Sequence, residues 1–568
     1  MAFRRCGLAS LLALVALLAF LSAPGVLLRV GLRQLAGHRF AKQRKGPLPF
    51  PSSPGASSPV RVAVVGGGMA GLSAAYTLLE SNRYRQARVA RAKRAGRQHE
   101  LRGCGTVEER HCLPPLFNVT LFEAKHRVGG HSWTYRFPLS DGTTYPVDLG
   151  YAYNPTMPSY SIIRAFERKH RLRMSGPLQQ RVAVLKEGFG RISSESSNSL
   201  DRECDRFMAL MVWLKENEVW GRLLYGPISL RTALRLHGFS DEFFLYRMYP
   251  VIRFVIVAGS KGAMLDAAAI GGFTTFKSGW ASCYDAQLHG SFDWYTVANG
   301  SDSHLGVFRQ KLRRAIRTAS PVQSVTVQPS HARVRYETVL SGGVHEESFD
   351  AVVMATPPDV ASAILGSQAP AWARRCTTEA ISVVLHSDER VMHGEGGENG
   401  EGGGEGRRAN MIYIAKQMGT NYANAALSVY WDSIHGELVK PRPILTYNPE
   451  ALVGDQKLQG EVFRTRFRHI HLPDAITYLL AEEEVHRAHN AAGGRLYWAG
   501  AHIDKFSLSH GGAMQSGIDA AVSLGASISP SFFTWLNDPP GYEISLRKSK
   551  GNMLSPTKRR NTKKRKVR

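Results

Sequence analysis

The sequence predicts an α/β fold: a Rossmann-like, dinucleotide-binding domain assembled from discontinuous stretches of chain, with an α+β domain inserted between them. Three features carry this expectation. A short β-rich run opens onto a glycine-rich turn and a helix at residues 60–80. A second apolar run, Asn118–Phe122, ends in an acid, Glu123. A further strand and glycine-rich helix stand far down the chain, at residues 496–521, where they would complete the first domain. At 568 residues the chain is also too long for a single core. Its 55 glycines and 43% hydrophobic content suit an α/β protein with many tight turns.

The opening strand is Val60-Arg-Val-Ala-Val-Val65, the right length for a buried parallel strand. Gly66-Gly-Gly68-Met69-Ala70-Gly71 follows at once, and Leu72 to Glu80 has helix-forming composition. A lone GxGxxG is weak evidence, but between a strand and a helix it has a mechanism. Gly66 permits the tight turn, Gly68 lets a pyrophosphate approach the backbone, and Gly71 lets helix and strand pack closely. The free N–H groups and positive dipole end of the helix then receive the phosphates. An acid to hold a ribose hydroxyl is expected roughly 20 residues further on. Glu123 lies 52 residues past Gly71, and setting aside Asn82 to Leu116 (35 residues) reduces that to 17. An exposed, Arg-rich insertion over 82–116, outside both cores, accounts for the spacing.

After Glu123 the sequence reads Ala124-Lys-His-Arg127-Val-Gly129-Gly130-His131, and Asp148-Leu-Gly150 follows. This ExxxRxGG pattern resembles the flavin-containing amine oxidases and the phytoene-desaturase-like enzymes, in which the Arg and paired Gly line the diphosphate of FAD. The resemblance extends over residues 60–525. Ala298-Asn-Gly-Ser301 resembles the family's turn before its middle segment. Val322–Val327 and Phe349–Pro357 resemble its adenine-proximal strand and its xDxVVxAxP strand. Leu496-Tyr-Trp-Ala-Gly500 and Gly512-Ala513-Met514-Gln-Ser516-Gly517-Ile-Asp-Ala-Ala521 resemble the closing strand and the GAxxSGxxAA helix, whose N-terminus faces the isoalloxazine and can stabilise negative charge there. The resemblance implies an FAD-dependent oxidoreductase with Gly66, Gly68, Met69, Ala70, Gly71, Glu123, Ala124, Arg127, Gly129, Gly130, His131, Val322, Gly500, Ala513 and Met514 around the cofactor. It implies FAD-binding segments at 60–165, 295–365 and 490–527, and a substrate domain from 166–294 and 366–489.

Within this superfamily, VDLGYAYN (147–154), VVLHSDERVM (383–392) and the pair SVYWDSIHG (428–436) and ILTYNPE (444–450) resemble uncharacterised bacterial FAD/NAD(P)-binding flavoproteins associated with cyclopropane-fatty-acid synthases. That likeness implies an apolar or lipid-like substrate by analogy only. Two departures point away from amines. The amine-oxidising members carry an acid after the glycine equivalent to Gly500, where this chain has Ala501-His502. The monoamine oxidases place an aromatic before the GA helix, where this chain has Ser509-His510-Gly511. His502 and His510 flank the expected flavin site, either to move a proton or, more simply, to fix the loop by hydrogen bonds. Metal-ligand spacing, a nucleophile and a triad are all missing, which hydride transfer to a flavin allows. No catalytic residue or metal ligand is assigned. A true amine oxidase producing hydrogen peroxide is the alternative enzyme. A nucleic-acid or chromatin-associated binding protein that uses the fold as a module is the alternative of another class.

Nearly all of the net charge of +26 sits in appendages. Residues 1–47 carry eight Lys/Arg and no acid, residues 83–110 nine basic and three acidic side chains, and residues 547–568 eleven basic and no acidic ones. The body is therefore close to neutral, and the high charge is no argument for nucleic-acid binding by the fold. The 23 uncharged residues between Arg5 and Arg29 are long enough for a membrane-spanning helix. A retained anchor and a cleaved signal peptide are both open. The basic residues from Arg29 to Lys45 outnumber Arg4 and Arg5, which for an anchor places the body on the cytoplasmic side. Gly46 to Pro59 is a Pro/Ser linker, and the Gly/Glu run 394–406 is expected to be a surface loop. The tail 528–568 is expected to bind anionic headgroups. Cysteines 6, 104, 112, 204, 283 and 376 have no framework spacing, so free thiols and a reducing compartment are expected, a Cys104–Cys112 pair aside.

Overall fold

The structure is a computed structural model. It describes residue 50 and residues 58–527 other than 98–100, 102–112, 151–153, 156–159, 177, 179–181, 187–188, 192–193, 257–260, 278–282, 284–293, 393–410, 419–421, 451–456, 491–493 and 504–508. The leader, the Gly/Glu loop, the tail, Cys6, Cys104, Cys112 and Tyr151–Tyr153 lie outside the described residues. Among the described residues no helix is long and apolar enough to cross a membrane.

The nucleotide domain is built on eight elements: β1 (Val60–Val65), α1 (Met69–Arg94), β2 (Phe117–Phe122), α2 (Asp302–Leu312), β3 (Ile316–Arg317), β4 (Ala351–Met354), β5 (Leu496–Trp498) and α3 (His510–Ser523). The five strands form one sheet in the order β3-β2-β1-β4-β5, every pair parallel. β1 is central. Val62 to Val65 of β1 and all four residues of β4 are buried, as continuous apolar runs in a parallel sheet covered on both faces should be. Three distant segments of chain thus meet in one sheet, and the order reverses at β1, where such sheets open a crevice beyond their carboxyl ends.

α1 and α3 pack directly on one another, and Gly517 is what lets them. A Cβ there would fall 2.1 Å from the Ala70 carbonyl oxygen and 2.2 Å from Ser73 Oγ. Ser73 Oγ itself donates across the contact, at 3.0 Å from the Met514 carbonyl oxygen and 2.9 Å from that of Ala70. Gly71 serves the adjacent layer in the same way, since its Cβ would lie 1.9 Å from the Gly66 carbonyl oxygen.

The second domain is a seven-stranded sheet in the order 463–470, 378–386, 444–447, 422–430, 411–418, 182–186, 189–191, backed by the helices between residues 194 and 277. An antiparallel meander, 322–327, 332–337 and 344–349, flanks the nucleotide sheet. The conspicuous motifs of this domain fasten sheet ends. Buried Asp388 accepts from the Arg390 side chain at 2.8 and 2.6 Å and from Gln459 N at 3.0 Å. Buried Asp432 accepts from Arg442 at 3.0 and 3.1 Å, and that guanidinium lies 3.6 Å over the Tyr430 ring. His386 Nδ1 accepts from Asp388 N at 3.0 Å, and its Nε2 is 2.8 Å from Thr446 Oγ1, so the ring is neutral and burial pulls its pKa down to about 4.

Two expectations are corrected. The region 82–116 does not stand apart from the core: α1 runs unbroken to Arg94, and Asn82 exchanges two hydrogen bonds (2.8 and 2.9 Å) with the Phe117 backbone at the start of β2. Arg85 is buried, with Nη1 2.5 Å from the Pro114 carbonyl oxygen, so both described ends of the insertion are anchored. The cysteines of the body are not all free thiols either. Cys204 and Cys283 form a buried disulfide with a Cα–Cα distance of 5.7 Å, while Cys376 is free and buried.

Candidate functional site

A cavity of about 790 Å3 runs along the carboxyl ends of the parallel strands, well inside the range of cofactor and ligand sites (roughly 300–1,000 Å3). Its middle is the β1–α1 turn, Val65 to Ala70. Gly66 has φ +110° and sits against Ala355, whose carbonyl oxygen a Cβ would approach to 2.6 Å. A Cβ on Gly68, by contrast, would meet no atom within 4 Å. Strand and helix are thus closed tightly at Gly66 and Gly71, and the backbone lies open to the cavity at Gly68. The first N–H groups of α1, which have no intrahelical acceptor, face that opening.

One end of the cavity is formed by Glu123, Ala124 and Lys125 with Ser320 to Gln323. Glu123 Oε2 accepts from Gly67 N and Oε1 from Lys125 N, both at 2.8 Å, so the carboxylate is fixed at the cavity wall. Val322, at the start of the meander, lines the same cavity. The other end is formed by Gly129 to His131, Gly150, Tyr160, Arg468 to Ile470, Gly500 to His502, and Ser509, His510 and Ala513. Gly500 is held by its N–H, which donates to buried Ser516 Oγ at 2.8 Å. Ser509 caps α3 by accepting from Gly512 N at 2.8 Å. The Tyr160 hydroxyl takes the backbone N–H of His510, so part of the helix N-terminus is already engaged.

The histidines at this second end are neutral. Burial pulls the pKa of His502 down to about 3 and holds His469 and His510 well below the usual imidazole value, so each ring is uncharged at neutral pH. His131 stacks on His469 with centroids 4.5 Å apart and 14° between planes. Among the lining residues the carboxylates are Glu123 and Asp359. Asp359 Oδ2 is occupied at 2.8 Å by both Arg468 Nη1 and Thr378 Oγ1.

Of the residues expected around a cofactor, Gly66, Gly68, Met69, Ala70, Glu123, Ala124, Gly129, Gly130, His131, Val322, Gly500 and Ala513 line this one cavity. Gly71, Arg127 and Met514 do not. Gly71 and Met514 lie in the helix packing behind it. Arg127 holds the turn together: it donates to Ser132 and Gly130 carbonyl oxygens, both at 2.9 Å, and stacks 3.9 Å over the Trp133 ring. Asp148 is likewise a fastener, accepting from Thr134 Oγ1 at 2.6 Å and Ser301 N at 2.8 Å to tie the strand 144–148 to the start of α2. Lys277 is not part of the cavity and lies 4.0 Å from Glu218. The sequence reading missed Tyr160, the 468–470 strand and Ser516. Ser516 stands within the quoted GAxxSG motif, while the other two carry no local signal.

A dinucleotide cradle on a parallel sheet, joined at one end to a second domain's sheet, defines a flavin-dependent oxidoreductase. The chain belongs to the family described as flavin-containing amine oxidoreductase, whose model matches residues 69–524, and its cofactor is FAD. No curated protein sequence matches it. Among solved structures, the chain is similar to a proposed protoporphyrinogen oxidase from Exiguobacterium sp. 255-15, at 15% identity and TM-score 0.52, over 83% of this chain and 99% of that one. It is similar to a putrescine oxidase variant at 15% identity and TM-score 0.51, over 82% and 99%. At these identities the likeness is one of fold.

Proposed function

We propose that this FAD-dependent oxidoreductase removes a hydride from an apolar, lipid-like substrate rather than from an amine. The supporting observation is the second end of the cavity, where four uncharged histidines stand and the single carboxylate, Asp359, is already ion-paired through Oδ2 with Arg468, its buried Oδ1 having no partner among the described residues. The one carboxylate that a substrate ammonium could approach there already has Arg468 as its charge partner, so the hydration the ammonium loses would be poorly replaced.

The residues present fit the cofactor. Gly68 leaves space for a diphosphate against the α1 N-terminus, Glu123 is placed for a ribose, and the Val322 backbone for an adenine. The remaining residues expected at the cofactor, Gly66, Met69, Ala70, Ala124, Gly129, Gly130, His131, Gly500 and Ala513, complete the cradle, with Gly71, Arg127 and Met514 as its support. When bound, FAD accepts the hydride and supplies the redox chemistry. The chain's own part is to orient, to exclude water and to keep the neighbouring imidazoles uncharged. Anaerobic stopped-flow reduction tests the substrate class. An unsaturated or cyclic acyl or isoprenoid compound should reduce the enzyme faster than benzylamine or a polyamine, and the opposite order would restore an amine oxidase.

We further propose that the leader 1–45 brings the body to a membrane and that the basic tail adds affinity for anionic headgroups. The positive-inside count favours a cytoplasmic body, whereas the Cys204–Cys283 disulfide favours an oxidising compartment. A leader that acts as a signal peptide accommodates the disulfide but carries Arg29 to Lys45 across the membrane against the charge count, and we favour it on the strength of the disulfide. Protease protection of the body in sealed vesicles is its test: cleavage from the cytoplasmic face would return the body to that side.

A further inference from the structure

Of the buried polar atoms without a hydrogen-bond partner among the described residues, two belong to adjacent rings at and behind the second end of the cavity: His502 Nε2 and Trp372 Nε1. The rings lie 5.8 Å apart, centroid to centroid, with 37° between planes. Trp372 is completely buried and fixed from behind by Trp498 of β5, at 5.0 Å and 67°. His502 lines the cavity and is only 5% exposed. Its Nδ1–Cε1 edge covers Gly500, where a Cβ would fall 2.3 Å from Cε1 and 2.6 Å from Nδ1.

These two unpaired atoms are complementary. An indole Nε1–H can only donate, and an imidazole nitrogen without its proton can only accept. A hydrogen bond between them would satisfy both groups, each of which is costly to leave unpaired in a dry wall. A neutral imidazole has a single N–H, so a nitrogen that accepts from indole forces the proton onto the other one. Burial keeps the ring neutral, with its pKa down to about 3. The nitrogen left holding the proton belongs to the edge that lies over Gly500, and Gly500 is itself cavity wall.

We propose that Trp372 and His502 form a hydrogen-bonded couple behind the cofactor, in which the indole holds the imidazole in one tautomer and His502 presents its Nδ1–H to the flavin end of bound FAD. His502 is then a cofactor-binding donor and Trp372 a positioning residue. The inference rests on reading this cavity as the FAD site. A neutral donor here has a definite consequence. It favours the more electron-rich, reduced form of whatever it touches, whereas a carboxylate at this position disfavours it.

The test uses the purified holoprotein and four variants, His502→Leu, His502→Gln, His502→Glu and Trp372→Phe. FAD affinity is read by flavin fluorescence and the midpoint potential by dye equilibration. His502→Leu should raise the FAD Kd about tenfold, as loss of one hydrogen bond in a buried site does, and should lower the potential. His502→Glu should lower the potential further. His502→Gln, which keeps a neutral donor, should stay near wild type. Trp372→Phe keeps an aromatic ring but loses the indole N–H, and should lower the potential by less than His502→Leu. If wild type binds FAD while the folded His502 variants share its Kd and potential, the couple is wrong and His502 only packs. Should His502→Leu fail to fold, His502→Gln and His502→Glu still decide, because they differ in charge and not in size. A wild-type protein that takes up no FAD would instead refute the reading of the cavity.

Discussion

Gly517→Ala tests whether the α1–α3 contact supports the cofactor cradle. The added Cβ would sit 2.1 Å from the Ala70 carbonyl oxygen and 2.2 Å from Ser73 Oγ, where ordinary contact begins near 3.4 Å, so the helices must part by more than 1 Å. Neither neighbour can yield on its own. One is backbone in the first turn of α1, and the other is held by hydrogen bonds to Ala70 and Met514 across the same contact. Overpacking of this kind typically costs about 1–3 kcal/mol, and backbone on one side places this case at the upper end. The strain also reaches the site, because Ala70 of α1 and Ala513 of α3 both line the cavity. Urea denaturation of the apoprotein should therefore show a lower midpoint, and flavin fluorescence should show weaker FAD binding. An unchanged midpoint together with an unchanged Kd would refute the argument that this glycine sets the distance between the helices.

Gly68→Val should separate folding from binding. A Cβ there meets no atom within 4 Å and the φ of −74° suits any residue, so the apoprotein should melt close to wild type, yet purify without yellow colour; retention of stoichiometric FAD would contradict the phosphate assignment. Glu123→Ala should weaken FAD binding by about 1–3 kcal/mol, the usual cost of leaving buried partners unpaired, measured by fluorescence titration. The Cys204–Cys283 bridge closes a 79-residue separation, for which the chain-entropy account gives ~4.5 kcal/mol; Cys283→Ala should lower stability by up to that amount, and equal stability of oxidised and reduced protein would show that the bridge does not form. Acid should destabilise the fold. His386 and His502 have folded pKa values depressed to about 4 and about 3, below the unfolded value of roughly 6.5. Their neutral burial is therefore without penalty above about pH 6.5 and costs up to ~1.4 kcal/mol per pH unit for each ring as pH falls toward the folded pKa values. Equal denaturation free energies at pH 7.5 and pH 5 would refute it.

The nucleotide domain was legible because each of its elements has a local reason. β1 and β4 are unbroken apolar runs, Gly66, Gly68 and Gly71 each have a distinct steric role, and Glu123 stands at the end of the next strand. What the sequence obscured was whatever depends on two distant residues at once. Arg127 has the expected position in the motif, but its guanidinium finds three backbone carbonyls and the Trp133 ring nearer than the cavity. The Arg-rich stretch after Ser81 looks dispensable by spacing, and only the pairing of Asn82 with Phe117 and of Arg85 with Pro114 reveals a helix continued into the core. The motifs around Asp388 and Asp432 carry the likeness to the bacterial flavoproteins, yet each buried carboxylate is occupied by a nearby arginine and serves the fold.

The two departures from the amine-oxidising pattern differ in how they resolve. At Ser509 the missing aromatic is replaced by a helix cap: the hydroxyl satisfies Gly512 N, and His510 follows at the start of α3 with its backbone N–H taken by Tyr160. That stretch has become scaffold. At His502 the missing acid is replaced by a buried ring with one unpaired nitrogen beside an unpaired indole, an arrangement that scaffold alone does not require. A cage that has lost its aromatic can still admit an amine from another direction. A cavity end whose histidines are neutral and whose one carboxylate is already ion-paired with Arg468 offers that amine little net attraction. The electrostatics of the wall, more than the absent aromatic, is therefore what points the site toward an uncharged substrate.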